Sequence, residues 1–293
     1  MKGIMSMSEY VIVGHKNPDV DSILSGYLLC SYLRYKKYDV EYVILDNELE
    51  DSVLEVLKSC GVNVLDFPNN ILDTSKLILV DHYETHLENE VVAVIDHHPT
   101  IREFNYPTYI NEKASSTTKH IYDIVNKECP GYISSRFVEL VLVGMAVDTL
   151  SFRSAKAMPG DKEWFVDMCK KYNLDSNKIL RLGDDITKLD DLDKAVLNGL
   201  KNYKYGNSHI GTSYINTYGI ADEIIYLLIK KLQIKAIDEH LEMWVFIDVN
   251  LKNDTTKVYK IYQDKVETEE LDFIASRALN VMPKIEKDIL KDY

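Results

Sequence analysis

Short runs of β-branched and aromatic residues alternate with amphipathic stretches through the first two thirds of the chain. The run 10–13 predicts a strand, and the apolar residues that follow Asp21 recur at the 3.6-residue spacing of a helix that Asp21 can cap. A second strand and helix follow, and the runs 76–80 and 91–95 are apolar throughout, as in strands covered on both faces. The alternation predicts an α/β fold, with a mainly parallel sheet flanked by helices.

A polar, acidic stretch at residues 183–191 predicts a boundary between two domains, because GDDITKLDD offers few residues to a core. The length of 293 residues also exceeds the usual size of one domain. We therefore expect one domain over residues 1–185 and a smaller α/β domain over residues 190–293.

Charge and hydropathy limit the partners that the chain can have. The net charge of -13, with no local cluster of Lys and Arg, argues against long nucleic acids. The longest apolar stretches fall short of the ~20 residues that cross a bilayer, and the N-terminus lacks the apolar segment of a secretory signal. Four cysteines without CxxC spacing argue against zinc knuckles. We expect a cytoplasmic protein that binds neither membranes nor nucleic acid.

Aspartate and histidine residues follow three of the predicted strands, at the point where each strand ends. His15, Asp19 and Asp21 come after the first strand, residues 81–82 after the third apolar run, and residues 96–98 (Asp-His-His) after the fourth. The carboxyl ends of parallel strands meet at one edge of a sheet. These side chains should therefore gather in one pocket, although a lone DHH triplet is also typical of a surface turn.

The mixture of imidazole and carboxylate groups indicates a transition-metal site. Such a set suits Mn²⁺, Co²⁺ or Zn²⁺ better than Mg²⁺, and so many carboxylates would repel one another without cations between them. Two ions can activate a hydroxide for an in-line phosphoryl displacement. Asp148 lies in an otherwise apolar helical run; a metal explains its burial better than a purely structural hydrogen bond does.

Four segments match, in order and approximate spacing, the N-terminal motifs of the family II inorganic pyrophosphatases of the DHH superfamily: GHKNPDVDS, LVDH, VIDHH and VDTLSFRS. The segment INT at 215–217 and SRALNVMP from Ser276 resemble signatures of that family's second domain. The resemblance implies a DHH domain followed by a DHH-associated domain. It also implies hydrolysis of inorganic pyrophosphate to two phosphates, a pair of Mn²⁺ or Co²⁺ ions, Mg²⁺ with the substrate, and a homodimer.

The same resemblance assigns roles to individual residues. It implies one metal held by His15, Asp19 and Asp81. It implies a second metal held by Asp21, Asp81, His97 and Asp148, so that Asp81 bridges the two. It further implies that His98 contacts the substrate while Asp96 orients a neighbouring imidazole, and that Lys201 and Arg277 bind phosphate.

The chain departs from the family pattern at two positions. Ala278 stands where the family has Lys directly after the Arg, and Tyr83 replaces an Asn. One fewer positive group weakens the neutralisation of a diphosphate, which leaves open a short-chain exopolyphosphatase, a related phosphoanhydride hydrolase, or a metal-binding homologue with reduced activity. His15 argues against the exopolyphosphatase branch, whose members carry Asn there. The sequence contains no Gly-Gly pair, which argues against the nucleotide phosphodiesterase branch.

Overall fold

The computed structural model describes residues 8–45, 49–100, 104–184 and 186–290. The chain divides into two compact units, the first formed by Met1–Phe152 with Ala157–Gly183 and the second by Arg153–Lys156 with Asp184–Tyr293. The assignment of residues 1–185 and 190–293 to two functional domains stays a prediction. Across the described residues, no helix combines the length and the apolar character that a membrane span requires.

The first unit contains a sheet of five parallel strands in the order β2-β1-β3-β4-β5. The strands are β1 (Tyr10–Val13), β2 (Val40–Val43), β3 (Lys76–Val80), β4 (Val91–Asp96) and β5 (Thr108–Asn111). The predicted α/β class with a mainly parallel sheet is confirmed. Because β1, β3 and β4 are neighbours at the centre of the sheet, their carboxyl ends lie side by side.

The α-helices in the described part of the first unit are α1 (Val20–Tyr35), α2 (Asp51–Ser59), α3 (Thr117–Glu128), α4 (Ser135–Asp148), α5 (Asp161–Tyr172) and α6 (Ser176–Gly183). Their apolar side chains form one core with one face of the sheet, in which Ile12 and Ile78 of the strands pack with Leu24 of α1 and Val141 of α4. The other face of the sheet packs mainly against loop side chains such as Leu87. Helices α1, α3 and α4 contact one another pairwise.

The prediction that Asp21 caps α1 is wrong. Asp19 is the N-cap, and its Oδ1 accepts a hydrogen bond of 3.0 Å from the amide of Ser22. The helix begins at Val20, one turn before the apolar periodicity becomes visible in the sequence. Asp21 therefore lies in the first turn of the helix, 1% exposed, with its carboxylate available for other contacts.

The second unit contains a mixed sheet of five strands in the order β10-β9-β8-β7-β6. The strands are β6 (Lys201–Tyr205), β7 (Ser208–Thr217), β8 (Met243–Asn250), β9 (Thr255–Ile261) and β10 (Val266–Leu271), and the helices are α7 (Leu192–Ala195), α8 (Asp222–Asp238) and α9 (Met282–Leu290). Strands β7 and β8 are parallel and joined by α8, while the other pairs are antiparallel. Trp244 and Phe246 of β8 pack against Leu228 and Leu232 of α8.

Candidate metal centre

The structure brings all six predicted metal ligands together at one edge of the sheet in the first unit. His15 follows β1, Asp81 directly follows β3, and His97 directly follows β4. Asp21 comes from the first turn of α1, and Asp148 is the last residue of α4. Parallel strands and helix ends therefore converge on one place, as the sequence predicts.

Three overlapping groups of these side chains have ligand atoms within 4.8 Å of one another. The groups are His15, Asp19 and Asp81; Asp21, His97 and Asp148; and Asp81, His97 and His98. Asp81 and His97 each belong to two groups. The arrangement suits two cations that share ligands, and the assignment of each residue as a ligand stays a prediction.

Both candidate histidine ligands present Nε2 to the carboxylates. Nδ1 of His15 lies 2.8 Å from the carbonyl oxygen of Lys16, and Nδ1 of His97 lies 3.0 Å from that of Ala114. A carbonyl oxygen only accepts, so each Nδ1 carries a hydrogen, and Nε2 is the ring nitrogen that each histidine can offer to a cation. Donation of the second ring nitrogen to a carbonyl is the usual arrangement of a metal-binding histidine.

The surroundings of Nε2 of His97 show whether these residues have the spacing of metal ligands. This atom is buried and forms no hydrogen bond within the described part of the chain, yet oxygens of Asp148, Asp81 and Asp21 lie 3.4, 3.5 and 4.0 Å away. Ligands that bind one ion at about 2.1 Å stand about 3–3.5 Å apart. All three distances are too long for good hydrogen bonds, and those to Asp148 and Asp81 match ligands around a shared cation, so the residues fit the metal.

Asp81 links the group of His15 and Asp19 to His97. Its Oδ2 lies 3.4 Å from Nε2 of His15, while its Oδ1 lies 3.5 Å from Nε2 of His97. Its backbone has a φ of 65°, and its amide donates to the carbonyl of Ile95 at 2.9 Å. The two oxygens of one carboxylate thus face two different groups, as a bridging ligand requires.

The pKa values of the cluster show that the carboxylates need positive charge among them. Burial lowers the pKa of His15, but the carboxylates of Asp19 and Asp81 outweigh it and raise the value to about 11. Burial, followed by the charges of Asp81 and Asp148, raises the pKa of Asp21 well above its usual value. Burial opposes ionisation of Asp81 too, yet His15 holds its pKa below the usual value. Protons or metal ions can supply the missing charge.

His98 lies beside the cluster with a different hydrogen-bond pattern. Its Nδ1 is 2.9 Å from Oδ1 of Asp96, which also accepts from the amide of His98. The other oxygen of Asp96 accepts from the side-chain amide of Asn111 at 3.0 Å. The fully buried Asp96 therefore fixes the ring of His98, whose side chain is 41% exposed. The predicted contact of His98 with a substrate stays a prediction.

Two threonines that the sequence reasoning did not single out contact the cluster. The backbone amides of Thr117 and Thr118, in the first turn of α3, donate to Oδ2 and Oδ1 of Asp21 at 2.7 and 3.0 Å. The hydroxyl of Thr117 donates to Oδ1 of Asp81 at 2.9 Å. The signal in the sequence is the Ser-Ser-Thr-Thr run at 115–118, because Ser116 is a good N-cap and places free amides directly after it.

The two predicted phosphate-binding cations lie close together within the second unit. Lys201 begins β6 and pairs with Thr212, whose hydroxyl donates to the carbonyl of Lys201 at 2.9 Å. Nη1 of Arg277, in a π-helical turn, donates to the same hydroxyl oxygen and to the carbonyl of Gly199. The guanidinium lies 5.6 Å from the ring centre of Tyr214. Their role with phosphate stays a prediction.

Comparisons with known proteins agree with this architecture. Residues 9–145 match the model of the DHH family, N-terminal domain. Two relatives, from Listeria innocua and Bacillus licheniformis, are each named "Probable manganese-dependent inorganic pyrophosphatase". Each is 26% identical to this chain, and each alignment covers 86% of this chain and 86% of the relative. A Methanococcus jannaschii structure, described as a candidate family II inorganic pyrophosphatase, has a TM-score of 0.72 at 22% identity. It covers 95% of this chain and 98% of its own. The chain therefore carries a DHH family N-terminal domain over residues 9–145, and along most of its length it is similar to manganese-dependent inorganic pyrophosphatases.

Proposed function

We propose that this protein is a metal-dependent phosphoanhydride hydrolase, and specifically an inorganic pyrophosphatase that works with two divalent cations, Mn²⁺ or Co²⁺, and with Mg²⁺ on the substrate. The observation that carries the proposal is the position of Asp81, whose two oxygens face two separate groups of potential ligands. The names of the relatives from Listeria innocua and Bacillus licheniformis support the same activity and metal.

Two sets of residues that share Asp81 would hold the two cations. His15, Asp19 and Asp81 would hold one cation, and Asp21, Asp81, His97 and Asp148 the other. When bound, such a pair lowers the pKa of water and stabilises negative charge on phosphoryl oxygens. The chain itself keeps Nε2 of the two imidazoles aimed at the carboxylates, because each Nδ1 is hydrogen-bonded to a backbone carbonyl, that of Lys16 or that of Ala114.

His98, Lys201 and Arg277 would act on the substrate. Asp96 fixes the imidazole of His98 through Nδ1, and Nε2 would bind a phosphate oxygen or transfer a proton to it. Arg277 offers a planar fork to phosphate oxygens, and Lys201 offers a point charge. Ala278, exposed beside Arg277, removes one cation that the family pattern places there, which favours a slower pyrophosphatase or a different short polyphosphate as the second candidate.

The decisive experiment measures phosphate release from pyrophosphate, tripolyphosphate and a dinucleotide, with Mn²⁺, Co²⁺ or Mg²⁺ alone and with a chelator. We expect Mn²⁺ or Co²⁺ to support hydrolysis of pyrophosphate most strongly and the chelator to abolish it. Preference for tripolyphosphate would select the second candidate. Metal-supported cleavage of the dinucleotide alone would overturn the proposal.

The substitution Asp81→Asn keeps the shape of the side chain and removes the charge that both cations share. We expect phosphate release to fall to the level of the chelated enzyme with every substrate. Asp167→Asn, an exposed aspartate on α5 of the same unit, is the matched control and should retain the activity. Metal-dependent turnover by Asp81→Asn would rule out the bridging role.

A further inference from the structure

One residue, Thr117, makes hydrogen bonds to carboxylates of two different segments of the cluster. Its amide donates to Oδ2 of Asp21 on α1, and its hydroxyl donates to Oδ1 of Asp81 after β3. Both acceptors are almost fully buried, at 1% and 2% exposure. Thr117 itself is fully buried at the start of α3, so that these contacts are held by the fold.

The hydroxyl bond restricts rotation of the Asp81 carboxylate. With Oδ1 held by Thr117, this oxygen stays 3.5 Å from Nε2 of His97, and Oδ2 then faces Nε2 of His15 at 3.4 Å. A rotation of the carboxyl plane would break the bond and would turn both oxygens away from their groups. The bond leaves a second lone pair on Oδ1 for another partner.

The backbone amides of Thr117 and Thr118 likewise restrict rotation of the Asp21 carboxylate. Its two oxygens accept from consecutive amides at the N-terminus of α3, where the helix dipole also favours negative charge. The unsatisfied Nε2 of His97, buried among Asp21, Asp81 and Asp148, shows where the aligned oxygens meet.

We propose that Thr117 is a positioning residue that sets the orientation of the bridging carboxylate of Asp81 and thereby joins the two metal positions into one coupled centre. The inference rests on the proposed function, since it needs Asp81 and Asp21 to bind cations. Thr117 acts through the two carboxylates to which it donates hydrogen bonds. Side-chain partners of this kind typically change metal affinity by about 10- to 100-fold.

The test is the substitution Thr117→Val, which removes the hydroxyl and keeps the shape and the amide. Full-length protein is freed of metal with a chelator and titrated with Mn²⁺, and binding is followed by calorimetry and by electron paramagnetic resonance. We expect the affinity to fall about 10- to 100-fold and the signal of an exchange-coupled Mn²⁺ pair to weaken. Thr117→Ser, which restores the hydroxyl, should recover both.

Thr256→Val in the second unit is the matched control, because this buried hydroxyl also bonds only inside the fold, to Phe273 and Ala275. It should lower stability and leave Mn²⁺ affinity unchanged. Equal affinity and coupling in Thr117→Val and the unmodified protein would overturn this inference alone. If the unmodified protein bound no pair of Mn²⁺ ions, the proposed function itself would fail.

Discussion

Asp248 is a buried carboxylate of the second unit that takes no part in the metal centre. It lies on β8 opposite Ile215 and Lys257, is 6% exposed, and its Oδ1 has no hydrogen-bond partner among the described residues. Burial raises its pKa to about 6, although Lys257 opposes the shift. The folded protein therefore holds the neutral form of Asp248 more strongly than the unfolded chain does.

This shift predicts the effect of Asp248→Asn on stability. A raised carboxyl pKa stabilises the fold below the unfolded value near 4, and that contribution is lost as the pH rises through about 6. We expect the amide to increase the free energy of unfolding by about 3 kcal/mol above pH 7, and by progressively less as the pH falls toward 5. Urea denaturation across this range measures the difference. Asp264→Asn, at an exposed position near β10, should show no such trend, and a gain independent of pH would contradict the explanation.

At the level of residues, the sequence predicts the ligand set because each ligand follows a strand or lies in an apolar helical run. It could not predict that Nε2 of His97 lies without a hydrogen-bond partner among the described residues, since that depends on the carbonyl of Ala114 reaching Nδ1. It also placed Asp21 at the cap of α1, whereas Asp19 holds that position. Helix caps, and the hydrogen bonds that fix the ring of a histidine, depend on where the chain turns. The periodicity of apolar residues does not give that information.

At the level of elements, α3 and α4 meet at Gly144, close to the metal cluster. A Cβ at this position would lie 2.4 Å from Oγ1 of Thr118, 2.7 Å from its Cγ2 and 3.0 Å from Oδ1 of Asp21. Glycine therefore allows α4 to approach the first turn of α3, where the amides that hold Asp21 begin.

The packing predicts that Gly144→Ala destabilises the protein, although alanine usually favours a helix by about 1 kcal/mol. Overpacking of this kind costs about 1–3 kcal/mol, and displacement of Thr118 should weaken Mn²⁺ binding at the same time. Thermal unfolding and Mn²⁺ titration measure the two effects. Gly131→Ala is the control, since nothing lies within 4 Å of its added Cβ; a stabilised Gly144→Ala variant would show that the helices can separate without cost.

The long apolar runs made the central elements predictable. Strands β3 and β4 appear in the structure within one residue of their predicted bounds, because a continuous apolar run is unambiguous inside a parallel sheet. Strand β5, of four residues that are exposed or half-buried, has no such signal and was not predicted. The Ser-Ser-Thr-Thr run indicates where α3 begins. It does not indicate which carboxylates accept hydrogen bonds from the first amides of that helix.

At the level of the whole molecule, each unit has its own core, and the predicted metal ligands all belong to the first unit. A ligand stabilises only the structure that binds it, by about 2.7 kcal/mol at a concentration 100 times its Kd. Mn²⁺ should therefore raise the unfolding temperature of the first unit by roughly 5–10 °C relative to chelated protein. Differential scanning calorimetry measures this, and Asp248→Asn identifies the transition of the second unit. Equal displacement of both transitions by Mn²⁺ would contradict separate stabilisation.

The left-handed backbone of Asp81 sets stability against metal binding at this one position. A side chain at this φ costs about 1 kcal/mol or more, which glycine would avoid. Selection for heat resistance alone would favour glycine at that point, and selection for turnover would oppose it. Under the proposed bridging role, a descendant that no longer needed cations would be expected to lose this aspartate early, because its backbone strain would no longer serve the site.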